Sequence, residues 1–194
     1  MGNADLRRTV LDASLELIEA EGLGALSMRE VARRAGVSHQ APYHHFGDRE
    51  GILAALAAHG FTLFHNDMQK AIAGKRSDAK RIEAVGNAYV EFALANPGYF
   101  KIMFRSELVD MDRFDDVRKP AEEAFALVMS VIAPVARARG AKDPLVLSVT
   151  AWSVAHGLAT LLLEGKLGHR FGKGRAGQRA GAAAVLKAFS ELLG

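Results

Sequence analysis

Between Gly36 and Glu50 the chain reads GVSHQAPYHHFGDRE, a run of hydrogen-bonding rather than cationic side chains: Ser38, His39, Gln40, Tyr43, His44 and His45. Two chemistries use such a set. A glutamine amide pairs two-pronged with adenine and an imidazole donates to guanine, so the segment could read base edges in a DNA groove. Imidazoles with a carboxylate also bind transition metals, and His44 and His45 stand four and three residues before Asp48, spacings that can share a helix face. Against the metal, Gly47-Asp48 reads as a helix break. The chain also lacks cysteine and any His-Glu-x-x-His motif. No Gly-rich phosphate loop or nucleophile elbow appears, so an enzyme finds little support, and no metal or cofactor is expected.

The elements around the segment favour base reading. Ser27-Met28-Arg29-Glu30 has the form of a capping box, in which the serine oxygen accepts a free backbone N–H and the glutamate reaches back. It would start a helix from Met28 to about Arg34 that stops at Ala35-Gly36-Val37-Ser38, with Ser38 capping a next helix to about His45. Two short helices joined by a glycine turn form a helix-turn-helix. In that unit the first helix braces on the phosphates with Arg29, Arg33 and Arg34, and the second offers side chains to the major groove. Arg49, at the start of the following helix, would add a phosphate contact. Pro42 conflicts with a cap at Ser38, because a fourth helical residue needs its N–H, and Ala41 before it is biased toward extended backbone. A later cap would remove the conflict. Charge totals do not help: residues 1–50 hold six arginines against eight acids, although the whole chain is +3.

Nearly every other apolar run has the 3.6-residue period of a helix, so the chain reads as all-α. Leu6, Val10, Ala13, Leu17 and Ala20 stripe a first helix, and a long fourth helix, capped by Asp48, extends from Ile52 toward Ala73. A fifth spans Ala79 to Asn96, a short apolar one covers YFKIMF, and ELVDMDRFDDVRKP is a charged, less regular connection. Ala121–Ala138 continues as helix, with Pro134 expected to kink or end it. Pro144 opens a helix whose residues 145–163 carry no formal charge, long enough for a bilayer but broken by polar side chains; burial in a core or subunit interface is preferred over a span. The basic, Gly-rich residues 166–179 read as a solvated mobile loop before a closing helix. The last two helices look suited to pairing between subunits: Gly177, Gly181, Ala184 and Ala188 would let backbones approach closely, while Leu186, Phe189 and Leu193 supply apolar area. The start of the chain reads as neither a signal peptide nor an import sequence, which with the absent cysteine fits a cytoplasmic protein.

The motif SMREVARRAGVSHQAPYHHFGDREGIL, with AGVS, the aromatic pair in YHHF and Arg49 three past the phenylalanine, resembles the DNA-binding head of the TetR family of bacterial transcriptional regulators. NPGYFKIMF and WSVAHG resemble one subgroup, named for a Trp-His-Gly signature in its C-terminal domain. The resemblance implies a helix-turn-helix head over 1–50, joined by a long helix to a ligand-binding and dimerisation domain over 51–194. It implies that Ser38, His39, Gln40, Tyr43 and His44 face DNA, with Tyr43 and Arg49 on phosphate and Ser27 and Arg29 beside them. Phe46 is expected to pack the head instead. It implies an effector cavity lined by Tyr89, Phe92, Tyr99, Phe100, Met103, Phe104, Phe125 and Met129, positions that plain core packing would equally explain. Trp152 and His156, one turn apart, are either an ordinary buried pair or the polar anchor of that cavity. The expected function is that of a homodimeric repressor released from a palindromic operator by a small molecule. A helical small-molecule carrier or sensor without DNA binding is the alternative.

Overall fold

The computed structural model describes residues 3–167, 169–172 and 174–193. The described residues form nine α-helices and one 3-10 turn, with no strand. Helices α1 (Asn3–Glu21), α2 (Met28–Ala35) and α3 (Ala41–Phe46) make the head, α4 (Arg49–Ile72) leads out of it, and α5 (Asp78–Ala95), α6 (Pro97–Met103), α7 (Asp115–Ala138), α8 (Leu145–Leu163) and α9 (Gly174–Leu193) complete the chain. The long fourth helix thus joins a helix-turn-helix head to a C-terminal helical bundle.

Packing divides the chain into two units: residues up to Phe61 together with Pro97–Ala121, and Thr62–Asn96 together with Glu122 onward. This division follows contacts, and places α6 with the head helices. Of the expected α1 stripe Val10, Ala13 and Leu17 are buried, Leu6 is half-buried and Ala20 is exposed, and Ile18, Val31 of α2 and Ile52, Leu53 and Leu56 of α4 complete the core of the first unit. Gly60 lets α4 and α6 pack closely, since a Cβ there would lie 2.7 Å from Met103 Sδ of α6. In the second unit α5 packs against both α8 and α9, and Phe64, Phe92, Met68 and Ile132 are buried.

Several elements differ from expectation. Ser38 does not cap α3. Its carbonyl accepts the Ala41 N–H at 3.0 Å in a turn, and Gln40 takes the cap position. Pro42 is therefore the second helical residue, where no N–H is owed to the helix, and it costs no hydrogen bond. Ala41 is helical rather than extended, since burial of Ala41 and Pro42 in the head outweighs the pre-proline bias. Helix α7 begins at Asp115, inside the segment read as an irregular connection, and continues past Pro134. The carbonyl deprived of a partner there belongs to Ser130, on the exposed face, where water can satisfy it. The basic stretch becomes helix at Gly174, and its Gly168 and Lys173 lie outside the described residues.

Helix α8 meets the length and hydropathy of a membrane span, yet it packs on α5 and α9 through Ser148, Ala155, Leu158, Ala159 and Leu162. It is not buried all round: Leu145, Val146, Val149 and Leu161 remain exposed.

Candidate nucleic-acid interface and ligand cavity

The helix-turn-helix is positioned by local chemistry. Ser27 Oγ accepts the Glu30 N–H at 3.2 Å, starting α2. The reciprocal half of the capping box is absent, because the Glu30 carboxylate turns to the Arg33 guanidinium, whose Nε donates to it at 2.8 Å. A charge-assisted pair is the stronger partner, and it holds Glu30 below the usual carboxylate range. Gly36, at φ 65° and ψ 31°, ends α2 in the left-handed region, its N–H reaching the Ala32 and Arg33 carbonyls.

With the turn so fixed, Ala41 and Pro42 face the core while Ser38, His39, Gln40, Tyr43 and His44 are exposed. His39 and Tyr43 stack at 6.4 Å. Phe46, expected to pack, is half-buried with the Arg7 guanidinium 5.2 Å from its ring centroid. Alongside runs a surface cleft of about 370 Å³ lined by Ser27, Arg29, Arg33 and His39, among others.

Arg49, expected on phosphate, is half-buried and bonded to backbone in this structure. Its Nε donates to the Leu26 carbonyl at 3.0 Å and its Nη2 to the Leu23 carbonyl at 2.8 Å, tying the start of α4 to the turn before α2. Arg34 pairs with Glu21 at 2.7 Å. Among the described residues Arg29 has no acidic partner within ion-pair distance. Sequence reasoning missed Arg113 altogether: it lies in the α6–α7 connection yet donates to Asp48 at 2.8 Å and also pairs with Glu50. That guanidinium, with the Gly51 N–H, holds the Asp48 carboxyl below its ordinary value. Arg113 thereby brings one positive charge to the head from outside residues 1–50. No pattern in the sequence links position 113 to 48.

The predicted ligand residues are only partly brought together. In the second unit Tyr89, Trp152 and His156 form one polar cluster: the Trp152 indole N–H donates to the Tyr89 hydroxyl at 3.1 Å, and that hydroxyl lies 2.9 Å from His156 Nδ1. Phe125 packs on Trp152 with ring centroids 5.7 Å apart. Burial pushes the Tyr89 hydroxyl well above the ordinary tyrosine range, and pushes His156 down, toward the neutral form. Tyr89 and Trp152 also line a narrow cavity of about 20 Å³, the room of about one water. The remaining lining is Ile82, Val85, Gly86, Val128, Ile132, Ala151, Ala155, Leu186 and Phe189, none of it charged and none of it among the residues expected there.

Other expected residues lie elsewhere. Phe92 is buried against Phe64, and Met129 is half-buried without lining the cavity. Tyr99 and Met103 belong to the first unit, where Met103 meets Gly60 and Tyr99 meets His59; Phe100 and Phe104 pack there on one another. The small-residue stripe of α9 is also reassigned. A Cβ on Gly181 would lie 2.1 Å from the Phe171 ring and one on Gly177 2.8 Å from the Phe171 carbonyl, so the chain's own Phe171 segment covers both. Leu186 and Leu193 are buried and Phe189 half-buried, leaving Ala184, Ala188 and Leu192 exposed. Among the described residues no three His, Cys, Asp or Glu side chains gather as a metal site.

A capped short helix, a left-handed glycine turn and a second helix with an outward polar strip place this chain in the class of helix-turn-helix DNA-binding regulators. It belongs to the TetR family of bacterial regulatory proteins: residues 10–56 match the family's own domain and residues 82–184 match the tetracyclin repressor-like C-terminal domain. The curated relatives it resembles include YobS, an uncharacterized HTH-type transcriptional regulator of Bacillus subtilis, 27% identical over 49% of each chain. BetI of Burkholderia ambifaria, another HTH-type transcriptional regulator, is 31% identical over 44% of this chain and 45% of its own. The match spans about half the length of these relatives. Among solved structures, a Rhodococcus protein of unknown function is 29% identical over 97% of this chain and 93% of its own, with a TM-score of 0.76. FadR of Bacillus subtilis, solved in complex with stearoyl-CoA, shares the fold at 15% identity, covering 96% of each chain at a TM-score of 0.72.

Proposed function

We propose that the protein is a cytoplasmic, homodimeric repressor that binds a palindromic operator and is released from it by a small molecule. The observation that carries this reading is the exposed strip Ser38, His39, Gln40, Tyr43 and His44, with buried Ala41 and Pro42 behind it and exposed Arg29 and Arg33 beside it. Gln40 and His44 read bases, Tyr43 and Arg29 hold phosphates, and Ser27 sits at the edge of the same cleft. The exposed apolar residues of α8, continued by Leu192 on α9, supply the dimer contact in place of the α9 glycines. Two heads would then meet successive major-groove faces about 34 Å apart. Trp152 and His156, joined through Tyr89 beside the cavity, support placing the C-terminal domain in the Trp-His-Gly subgroup and the effector at that cavity.

Operator selection from a random DNA pool, followed by gel shift at about 0.15 M salt, tests the reading. A palindromic site bound far more tightly than random duplex is expected, with Gln40→Ala relaxing preference at one base pair per half-site. Binding no tighter than to random duplex would reject the regulator, and equal losses from Gln40→Ala on every sequence would remove that residue from base reading.

A further inference from the structure

The cavity of the second unit has a floor and a mouth of different character. Val85, Val128, Ile132 and Leu186 of the floor are buried, whereas Gly86, Ala151, Trp152 and Phe189 at the mouth are only half-buried. An entering molecule meets carbon on nearly every side. None of the eleven lining residues carries a formal charge, so a carboxylate, phosphate or ammonium group drawn inside would lose its water and gain no counter-ion, a cost of several kcal/mol.

Polarity is concentrated at one place, the Tyr89 hydroxyl with the Trp152 N–H and the His156 imidazole. An indole N–H only donates, while the hydroxyl and a neutral imidazole both donate and accept. That cluster can exchange one internal hydrogen bond for one to a ligand. It offers no formal charge with which to neutralise an ion, and burial further disfavours protonated His156.

Resting on the reading of this cavity as the effector site, we infer that it selects a neutral, largely apolar molecule bearing a single hydrogen-bonding group directed at the Tyr89–Trp152–His156 cluster. Anionic and cationic molecules are excluded by the lining itself. At about 20 Å³ the cavity has room only for water-sized content, so binding of a larger molecule widens it at Trp152 and Phe189, and the occupied state differs in the packing of α5, α7, α8 and α9.

Two dyes with a common framework test this on the full chain: N-phenyl-1-naphthylamine, which is neutral, and 8-anilino-1-naphthalenesulfonate, which adds a sulfonate. Saturable fluorescence enhancement is expected with the neutral dye, and at least about tenfold weaker binding of the sulfonate. Ala151→Leu, which fills the mouth, should abolish the neutral dye's site while the helical circular dichroism is unchanged. Gly86→Ala, whose Cβ would sit 3.0 Å from Leu186 Cδ2, should weaken it less. A sulfonate dye that binds as tightly and is equally lost in Ala151→Leu overturns the neutral-ligand inference while leaving the cavity as a ligand site. No saturable binding of the neutral dye, or binding indifferent to both substitutions, overturns the inference and the cavity reading together.

Discussion

The histidines and arginines of this chain show how much a side chain's work depends on what stands beside it. Arg49 is half-buried and donates twice to backbone carbonyls. Arg49→Ala should therefore destabilise the head by about 1–3 kcal/mol, the cost of stranding acceptors of a charged donor. Thermal unfolding of the variant measures it, and an operator-binding salt slope unchanged from wild type would separate this structural role from a phosphate contact. His156 gives a pH dependence whose sign follows from its lowered proton affinity. Below the ordinary histidine value of about 6.5 the unfolded chain binds a proton that the folded one resists, so stability is full above that value and declines as pH falls through it. The melting temperature of wild type should drop more steeply from pH 7 to pH 5 than that of His156→Gln; equal slopes would assign the drop to other groups.

At the scale of elements, the junction of α3 and α4 governs where the polar strip points. Asp48 caps α4 by accepting the Gly51 N–H at 2.8 Å, and Arg113 holds that carboxylate from the α6–α7 connection. Gly51 itself has no room for a side chain, since a Cβ would lie 2.0 Å from the Phe46 carbonyl oxygen. Because the obstacle is backbone, Gly51→Ala should cost about 1–3 kcal/mol and shift α3, so that operator affinity falls more than the loss of folded protein explains. Comparing unfolding and gel-shift titrations of the variant checks both parts. The cap at Asp48 and the turn at Gly36 were legible in the sequence, because each depends on residues within four positions. The start of α3 was not: Ser38 is the better cap by local chemistry and Gln40 makes no side-chain cap hydrogen bond, so burial of Ala41 and Pro42 overrides the local preference.

For the whole molecule, the exposed apolar surface of α8 is the feature a monomer would not keep. Val146 is 74% exposed on a helix with mean hydropathy 1.6, and Leu192 of α9 is 76% exposed. Val146→Asp should leave helicity intact and convert the protein to monomer in sedimentation at micromolar concentration, with operator affinity lost in proportion because two half-sites are no longer joined. A variant that stays dimeric would move the interface off this face. The sequence marked α8 as apolar on all sides and the last two helices as suited to pairing, since periodicity registers which residues are apolar but not which neighbour covers them. Phe171 over Gly177 and Gly181 is such a neighbour.

By itself the sequence determined that the chain is helical, that a helix-turn-helix sits between residues 27 and 46, and that the polar residues of its turn and second helix have the chemistry for base reading. Hydrophobic period, caps and glycine turns are local, and local chemistry is written in order along the chain. Tertiary structure alone decided that Arg113 pairs with Asp48 and Glu50, that Arg49 braces the head, and that Tyr89 joins Trp152 and His156 while Tyr99 and Met103 belong to another core. Those pairings span more than twenty residues of sequence. They exist because burial brings distant helices together, and no spacing rule reaches that far.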